Sequence, residues 1–325
     1  MTTSTVRGLT SLSGGDPDDY QPHALHAEGR TYRETNCYTD IVIELLHATG
    51  YEPLAAFGHL VRMDFEGDQW TFFKPPPEDL ESLFGVDIHE MQPYRPLPVQ
   101  IAEQIEQGRT LIVELDSWYL PDTASTSYRS EHVKTSVAAD AIDSESETMR
   151  YFHSAGLFEC SGEDYRGLFR IGRPFSDDVL PPYTELVRFD AGPALQGDDL
   201  HAAARGLLAR HLGKRPSENP FERFGTALER ELPALLEGDL DDYHAYAFAT
   251  VRMAGAAFEI LSSHAAWLFD DNADSATEAM EAIVNGCKAM SFRLARRRPF
   301  DPGPLVESMA HGWDRAIAAL GDLAG

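Results

Sequence analysis

The sequence changes character at the Pro181-Pro182 pair, and this change constrains the fold more than any single motif does. Before the pair, short β-like runs alternate with helical patterns. After it, from Asp198 onward, Ala- and Leu-rich segments place apolar residues at helical spacing. The sequence therefore predicts an α+β region over residues 31–185, followed by an all-helical region over residues 190–325.

Start and stop signals give approximate bounds for the elements of both regions. Asn219-Pro220 and Asp301-Pro302 are typical helix starts, and we predict C-terminal helices at about 198–212, 220–236, 240–269, 275–298 and 304–322. In the first region, the alternating run His59–Phe65 predicts a strand. Residues 1–30 are polar and rich in Gly, Asp and Ser, so we expect a flexible arm there.

Composition excludes several classes of protein. No stretch of 18 apolar residues occurs, and the N-terminal segment lacks the pattern of a secretory signal, which predicts a cytoplasmic protein with no membrane partner. The formal charge is −26, from 53 acidic and 27 basic side chains, which disfavours nucleic acid as a partner. The one compact basic patch along the chain is Arg293 with Arg296, Arg297 and Arg298.

Motifs for nucleotides and metals are missing from the sequence. The chain contains no GxGxxG after a strand, no GxxxxGK[ST] and no HExxH. Its three cysteines, Cys37, Cys160 and Cys287, are far apart and form no CxxC pair, so neither a zinc site nor a disulfide framework is expected. We therefore predict an enzyme without a metal or a cofactor of its own.

Cys37 stands where a cysteine becomes reactive. Apolar residues from Tyr38 onward recur at helical spacing as far as Gly50, and Asn36 is a suitable N-cap, so Cys37 falls in the first turn of a predicted helix. The aligned peptide dipoles at a helix N-terminus stabilise a thiolate, and the N–H groups there can receive an oxyanion. The side-chain amide of Asn36 is a second candidate oxyanion donor.

His132 is the candidate proton carrier for Cys37. It opens a predicted strand, HVKTSVAADAI, and a cysteine on a helix followed by a histidine on a strand is the chain order of papain-like enzymes. The third, orienting residue is less well defined. Asp116, at the end of the predicted strand Thr110–Asp116, is the preferred candidate, and His153 on the following strand is the alternative.

Four segments carry a resemblance to a known family: ETNCYTDIVIELLHATGYEP, VELDSWYLPDT, YRSEHVKTS and YFHSAGLFECSGEDY. They resemble a bacterial family often encoded beside carrier proteins. That family is similar to the N-terminal domain of the butirosin-biosynthesis acyltransferase, which shares the papain-like fold of the double-glycine-leader peptidases. The resemblance is close over about residues 30–170 and looser over the helical region.

The resemblance implies a papain-like catalytic domain over residues 31–185 and an acyltransferase of specialised metabolism. The donor would be an acyl or aminoacyl thioester on the phosphopantetheine arm of an acyl or peptidyl carrier protein. The group would pass through an acyl-Cys37 to a small-molecule amine, with His132 as general base and then acid. The helical region would serve as a lid or bind the acceptor or carrier, and the basic patch around Arg296 could dock an acidic carrier protein.

Two other functions are compatible with the same residues. One is a cysteine peptidase or amidase, which would release the acyl group to water. The other is a non-catalytic module that only binds a carrier protein, for which Cys37 would be dispensable.

Overall fold

The computed structural model describes residues 4–6, 9–173 and 179–325, and side chains from Ser11 onward. The chain forms two compact units. The first, the α+β unit, comprises the segments up to His26, Asn36–Pro53 and Pro77–Ala194. The second, the helical unit, comprises Ala27–Thr35, Leu54–Pro76 and Leu195–Gly325. The predicted order, an α+β region followed by an all-helical region, is confirmed.

Each unit is formed from segments that are not contiguous in sequence, whereas each predicted domain is one continuous range. Residues 54–76 fall within the predicted catalytic domain but cluster with the C-terminal helices. The physical reason is aromatic burial: Phe65 and Trp70 pack against Phe221 and Phe224 of the helical unit, with Trp70 and Phe221 ring centroids 4.6 Å apart.

The α+β unit is built on an antiparallel sheet. Its main path runs through six strands in the order β1-β2-β5-β4-β8-β3, and β6 and β7 branch from β5. The strands are β1 Ser4–Val6, β2 Leu9–Ser11, β3 Asp87–Glu90, β4 Thr110–Asp116, β5 Lys134–Asp143, β6 Thr148–His153, β7 Gly156–Ser161 and β8 Thr184–Arg188. The strand predicted to open at His132 is present as β5, but it begins two residues later, at Lys134, and the following strand that ends at His153 is β6.

Helices cover both faces of this sheet. They are α1 Cys37–Ala48, α2 Pro77–Phe84, α3 Leu97–Glu106 and α4 Glu163–Leu168. Helix α3 packs against β4 and β5 through Ile101 and Ile105, in a core with Val113 and Val137. Helix α1 packs against β5 and β6. Side chains alternate between faces along a strand, so α1 and α3 contact alternate residues of β5.

The segment predicted as a flexible arm has buried residues at Ser11, Leu12, His23, Leu25 and His26, and the rest of its described side chains are partly or fully exposed. Ser11 Oγ donates a 2.8 Å hydrogen bond to Asp140 of β5, and His26 is buried against α1. Residues 1–3 and 7–8 of that arm lie outside the described residues. Composition alone predicts an arm here. It does not show that some of these polar residues bind a buried carboxylate distant in sequence, such as Asp140.

The helical unit contains six α-helices in the described chain: α5 Gly197–Leu212, α6 Pro220–Glu237, α7 Leu240–Ala247, α8 Met253–Phe269, α9 Asp274–Ala295 and α10 Gly303–Ala324. A π-helical turn, Phe248–Arg252, joins α7 to α8 where one helix was predicted. The predicted strand at His59–Phe65 is wrong, because Pro53–Arg62 forms a 3-10 helix. None of the helices in the described chain is long and apolar enough to cross a bilayer.

Candidate active site

Cys37 is the first residue of α1 and is half-buried. The helix begins here because Asn36 is extended, with a φ of −135°, and its side-chain oxygen accepts a 2.9 Å hydrogen bond from Thr39 N–H. Buried residues such as Tyr38 and Ile41 hold the helix against the unit. The first N–H groups of a helix have no acceptor within the helix. The thiol therefore lies at the positive end of the helix dipole.

Among the described residues, Ser136 is a polar partner of the Cys37 thiol. The Cys37 Sγ donates to the Ser136 Oγ at 3.7 Å. In the β4–β5 pairing, Ser136 lies opposite Glu114 and Lys134 lies opposite Asp116. Directly paired residues point to the same face of a sheet. The face next to Cys37 thus carries the side chains of Glu114, Asp116, Lys134 and Ser136.

The His132 imidazole is held by Asp116. Its Nδ1 lies 2.7 Å from the Asp116 Oδ2, and its ring stacks on Trp118 with the ring centroids 4.6 Å apart. The second Asp116 oxygen accepts a 3.1 Å bond from the Trp118 N–H, so the carboxylate is fixed as well. Since a carboxylate only accepts, Nδ1 donates the hydrogen bond, and in the neutral ring the lone pair lies on Nε2. The His132 side chain is 66% exposed, so Nε2 is accessible to a substrate.

The thiol and the His132–Asp116 pair lie near neighbouring positions of one sheet face. The thiol lies beside Ser136, and Asp116 lies opposite Lys134. These two positions on β5 are two residues apart, which is about 7 Å along the strand. No hydrogen bond joins Cys37 to His132 among the described contacts. Histidine–thiol transfer therefore requires the exposed ring to swing toward the thiol or a bound group to bridge them; catalytic hydrogen bonds are often long in unliganded enzymes.

His153 lies on the other face of the sheet. Its Nε2 is 2.8 Å from the Thr135 Oγ, its Nδ1 is 2.5 Å from Asp122, and the Tyr151 hydroxyl donates to the same carboxylate at 2.5 Å. Burial and the Asp122 charge raise the pKa of Tyr151, which keeps the hydroxyl protonated. Thr135 alternates with Ser136, so this cluster faces away from Cys37. It fixes Asp122 in the loop between Trp118 and His132.

A cleft of about 1190 Å³ opens beside the His132–Asp116 pair. His132, Asp116, Glu114 and Lys134 form part of its wall, and the Lys134 Nζ lies 2.7 Å from the Glu114 carboxylate. The rest of the described wall is largely apolar and includes the exposed side chains Tyr94 and Leu180, at 79% and 84% exposure. Cys37 is not among the described lining residues, so the cleft meets the site from the histidine side.

Two family models match the chain, one over each region. Residues 21–189 match the DUF1839 N-terminal domain, and residues 197–322 match the DUF1839 C-terminal domain. The chain belongs to the DUF1839 family. No curated protein matches it. Cys37, Asp116 and His132 all lie within the N-terminal domain of the family.

The buried acids of α1 in this DUF1839 protein form a cluster with a histidine. Asp40 and Glu44 follow Cys37 on α1; the Glu44 carboxylate contacts His26 Nδ1, and Asp40 lies 3.3 Å from His26 Nε2. The Tyr20 hydroxyl donates to Glu44 at 2.5 Å. Burial lowers the pKa of His26, but the hydrogen bonds to Asp40 and Glu44 and their charges outweigh it and raise that pKa to about 9. This cluster stabilises the helix that carries the thiol.

The other two cysteines have a different environment. Cys160 and Cys287 are buried. Burial raises the pKa of Cys160 to about 12 and that of Cys287 further, so both thiols stay protonated at neutral pH. Among the three cysteines, Cys37 alone is accessible to solvent in part.

Proposed function

We propose that this DUF1839 protein is a cysteine-dependent acyltransferase that uses Cys37 as nucleophile and His132, oriented by Asp116, as proton carrier. The observation that carries the proposal is that the thiol and the His–Asp pair use the same face of the sheet. The half-buried thiol at the start of α1 lies at Ser136, and the pair lies beside Lys134, two residues away on β5. A reactive thiol and a base oriented by a carboxylate are the two parts that acyl transfer through a thioester needs.

In the first half of the reaction, the Cys37 sulfur attacks the thioester carbonyl of the donor, and the thiol proton passes to the His132 Nε2. The oxyanion is received by the N–H groups at the start of α1 and by the Asn36 amide. Collapse of the tetrahedral intermediate breaks the bond to the donor sulfur, which leaves as a thiol after taking the proton from His132. The product is an acyl-Cys37.

In the second half, a neutral amine attacks the acyl-Cys37 carbonyl and gives its proton to His132. The bond to the Cys37 sulfur breaks, and the sulfur recovers that proton, so an amide and the free enzyme result. The cleft beside His132 is the proposed site for the amine, because it opens at the imidazole that receives the amine's proton. An acceptor that fills the cleft also excludes water and limits hydrolysis.

The donor class follows from the resemblance to the butirosin-biosynthesis acyltransferase and from chemistry. Exchange of an acyl group between two sulfurs is nearly balanced in free energy, so a thioester donor needs no nucleotide. An acyl or peptidyl carrier protein, with its phosphopantetheine arm, is the proposed donor. The basic patch of Arg293 and Arg296–Arg298 is exposed and is a proposed docking surface for that acidic partner.

Intact-mass analysis tests the proposal. The full chain is incubated with a panel of aminoacyl carrier proteins, and we expect an acyl adduct on the Cys37 peptide that disappears when an amine is added. Cys37→Ala should form no adduct while keeping its circular dichroism spectrum. Rapid loss of the adduct in water alone would indicate an amidase. An unmodified wild-type chain, with carrier binding unchanged in Cys37→Ala, would indicate a binding module.

A further inference from the structure

The helical unit contains a second basic cluster that the sequence does not reveal. A pocket of about 410 Å³ lies between residues 59–76 and the loop after α5. Four basic side chains line it: Arg62, Lys74, Lys214 and Arg215. All four are exposed residues. Because they come from segments about 140 residues apart in the chain, they form no patch along the sequence.

The charge inside this pocket is opposite to that of the whole protein. The chain carries 53 acidic and 27 basic side chains, whereas basic side chains outnumber acidic ones in the pocket lining. Two acids, Asp64 and Glu66, also line the pocket. Asp64 is paired with Arg223, and Glu66 accepts a hydrogen bond from Thr71. The pocket therefore has a positive local charge.

Helix capping explains only part of this cluster. Lys214 and Arg215 follow the C-terminal end of α5, where cations are favoured, and an Arg215 Nη donates to the Leu212 carbonyl at 2.8 Å. Arg62 likewise ends a helix, the 3-10 helix Pro53–Arg62, but it comes from a different segment, and capping gives no reason for these two helix ends to meet at one pocket. Among the described contacts, neither Arg62 nor Lys214 forms an ion pair with a carboxylate. These two cations are available to a ligand.

We infer that this pocket binds a phosphorylated small molecule. A phosphate group suits the guanidinium of Arg62 and the ammonium of Lys214, since both donate charge-assisted hydrogen bonds. The wall also presents Phe72, which is 47% exposed, with Pro76 and Pro216. An apolar group attached to the phosphate would pack on these residues. The volume suits a ligand at the small end of the usual range.

Calorimetric titration of the full chain tests this site with two probes, inorganic phosphate and phenyl phosphate. We expect saturable binding of phenyl phosphate, at least threefold tighter than inorganic phosphate. The variant Arg62→Glu/Lys214→Glu should weaken phenyl phosphate at least tenfold, and Phe72→Ala should remove the preference for the phenyl ester. The matched control, Lys288→Glu/Arg315→Glu, makes the same charge change at exposed residues of the same unit outside the pocket and should alter binding less than twofold.

Two results would overturn the assignment. One is the absence of saturable binding by the wild-type chain at millimolar phenyl phosphate. The other is equal weakening by the pocket variant and by the control, which would show that only net charge matters. Circular dichroism verifies folding, and Arg62→Gln/Lys214→Gln provides a milder pair if the charge reversals unfold the unit. Because the readout is binding, the outcome does not depend on acyl transfer by Cys37.

Discussion

The Sγ atom of Cys37 lies 3.7 Å from the Oγ atom of Ser136, on the strand that begins two residues after His132. This pairing sets the thiol against the middle of one sheet face while leaving it partly accessible to solvent. It also places the thiol two residues along β5 from Lys134, which lies opposite the Asp116 carboxylate that holds the imidazole. The surroundings of the Cys37 thiol are therefore the helix N-terminus and Ser136, until a substrate or a rotation of the ring brings His132 closer.

The three cysteines should differ in reactivity. With iodoacetamide at neutral pH, we expect alkylation of Cys37 and at least about tenfold slower alkylation of Cys160 and Cys287, because burial shields these two and keeps them protonated. Peptide mass mapping after a timed quench measures the rates, and a sample in urea should label all three equally. Labelling of Cys160 as fast as Cys37 in the folded chain would contradict the prediction.

Removing the carboxylate that orients His132 should slow acylation of Cys37. We expect Asp116→Asn to lower the acylation rate by roughly 10²-fold, within the range usual for general acid–base catalysis. A matched control exists in the same unit, because Asp87 holds His89 in a similar pair at 3.0 Å on β3. Asp87→Asn should change the rate less than about twofold. Rapid-quench mass measurement of the adduct decides, and an equal loss in both variants would remove the role of Asp116.

The sequence predicted those elements whose signals are local. Asn36 begins α1 and Asn219 begins α6, each by accepting hydrogen bonds from the first turn as its side chain suggested. Strand β4 has the predicted bounds, Thr110–Asp116, because it is a short apolar run next to polar residues. Asp116 also lies within reach of His132, since it ends β4 opposite the start of β5.

What the sequence could not predict depends on pairing between distant segments. Ser136 faces Cys37 only because the β4–β5 register and the packing of α1 place it there. The alternation of apolar residues in His59–Phe65 suggested a strand, but tertiary burial in the helical unit favours a 3-10 helix. The pocket of Arg62 and Lys214 arises in the same way. A single sequence does not show which distant segments come into contact.

The charged histidine under α1 should make stability depend on alkaline pH. The pKa of His26 rises from 6.5 to about 9 on folding, so its contribution is full below pH 6.5 and is lost as the pH rises through 9. The shift corresponds to about 3 kcal/mol. Urea unfolding at pH 6 and pH 9.5 should show this loss in the wild type. His26→Gln should be less stable at pH 6 and show little of the pH dependence, whereas the exposed His89→Gln should keep all of it.

A buried neutral histidine in the helical unit should act in the opposite direction. His264 is fully buried, and its Nδ1 lies 2.7 Å from the Leu54 carbonyl. Burial lowers its pKa from 6.5 to about 4, so its contribution to stability is full above pH 6.5 and is lost as the pH falls toward 4. Urea unfolding at pH 7 and pH 4.5, followed by tryptophan fluorescence, measures the loss. Compared with the wild type, His264→Gln should lose less stability over that interval; an equal loss would assign the acid sensitivity to other groups.

The basic patch on the helical unit should govern carrier-protein recognition under the proposed function. Arg296, Arg297 and Arg298 are exposed, and the Arg296 guanidinium lies 4.2 Å from the centre of the Phe292 ring, which is 58% exposed. Charged residues at such a surface mainly accelerate association with an oppositely charged partner. Arg297→Glu should raise the apparent KM for an acylated carrier protein several-fold and leave a small pantetheine thioester unaffected. Arg315→Glu, an equal charge change on α10, is the control. A rise of KM for both substrates would show that Arg297 acts on folding or on the reaction and not on carrier docking. An equal effect of Arg315→Glu would show that only the net charge of the protein matters.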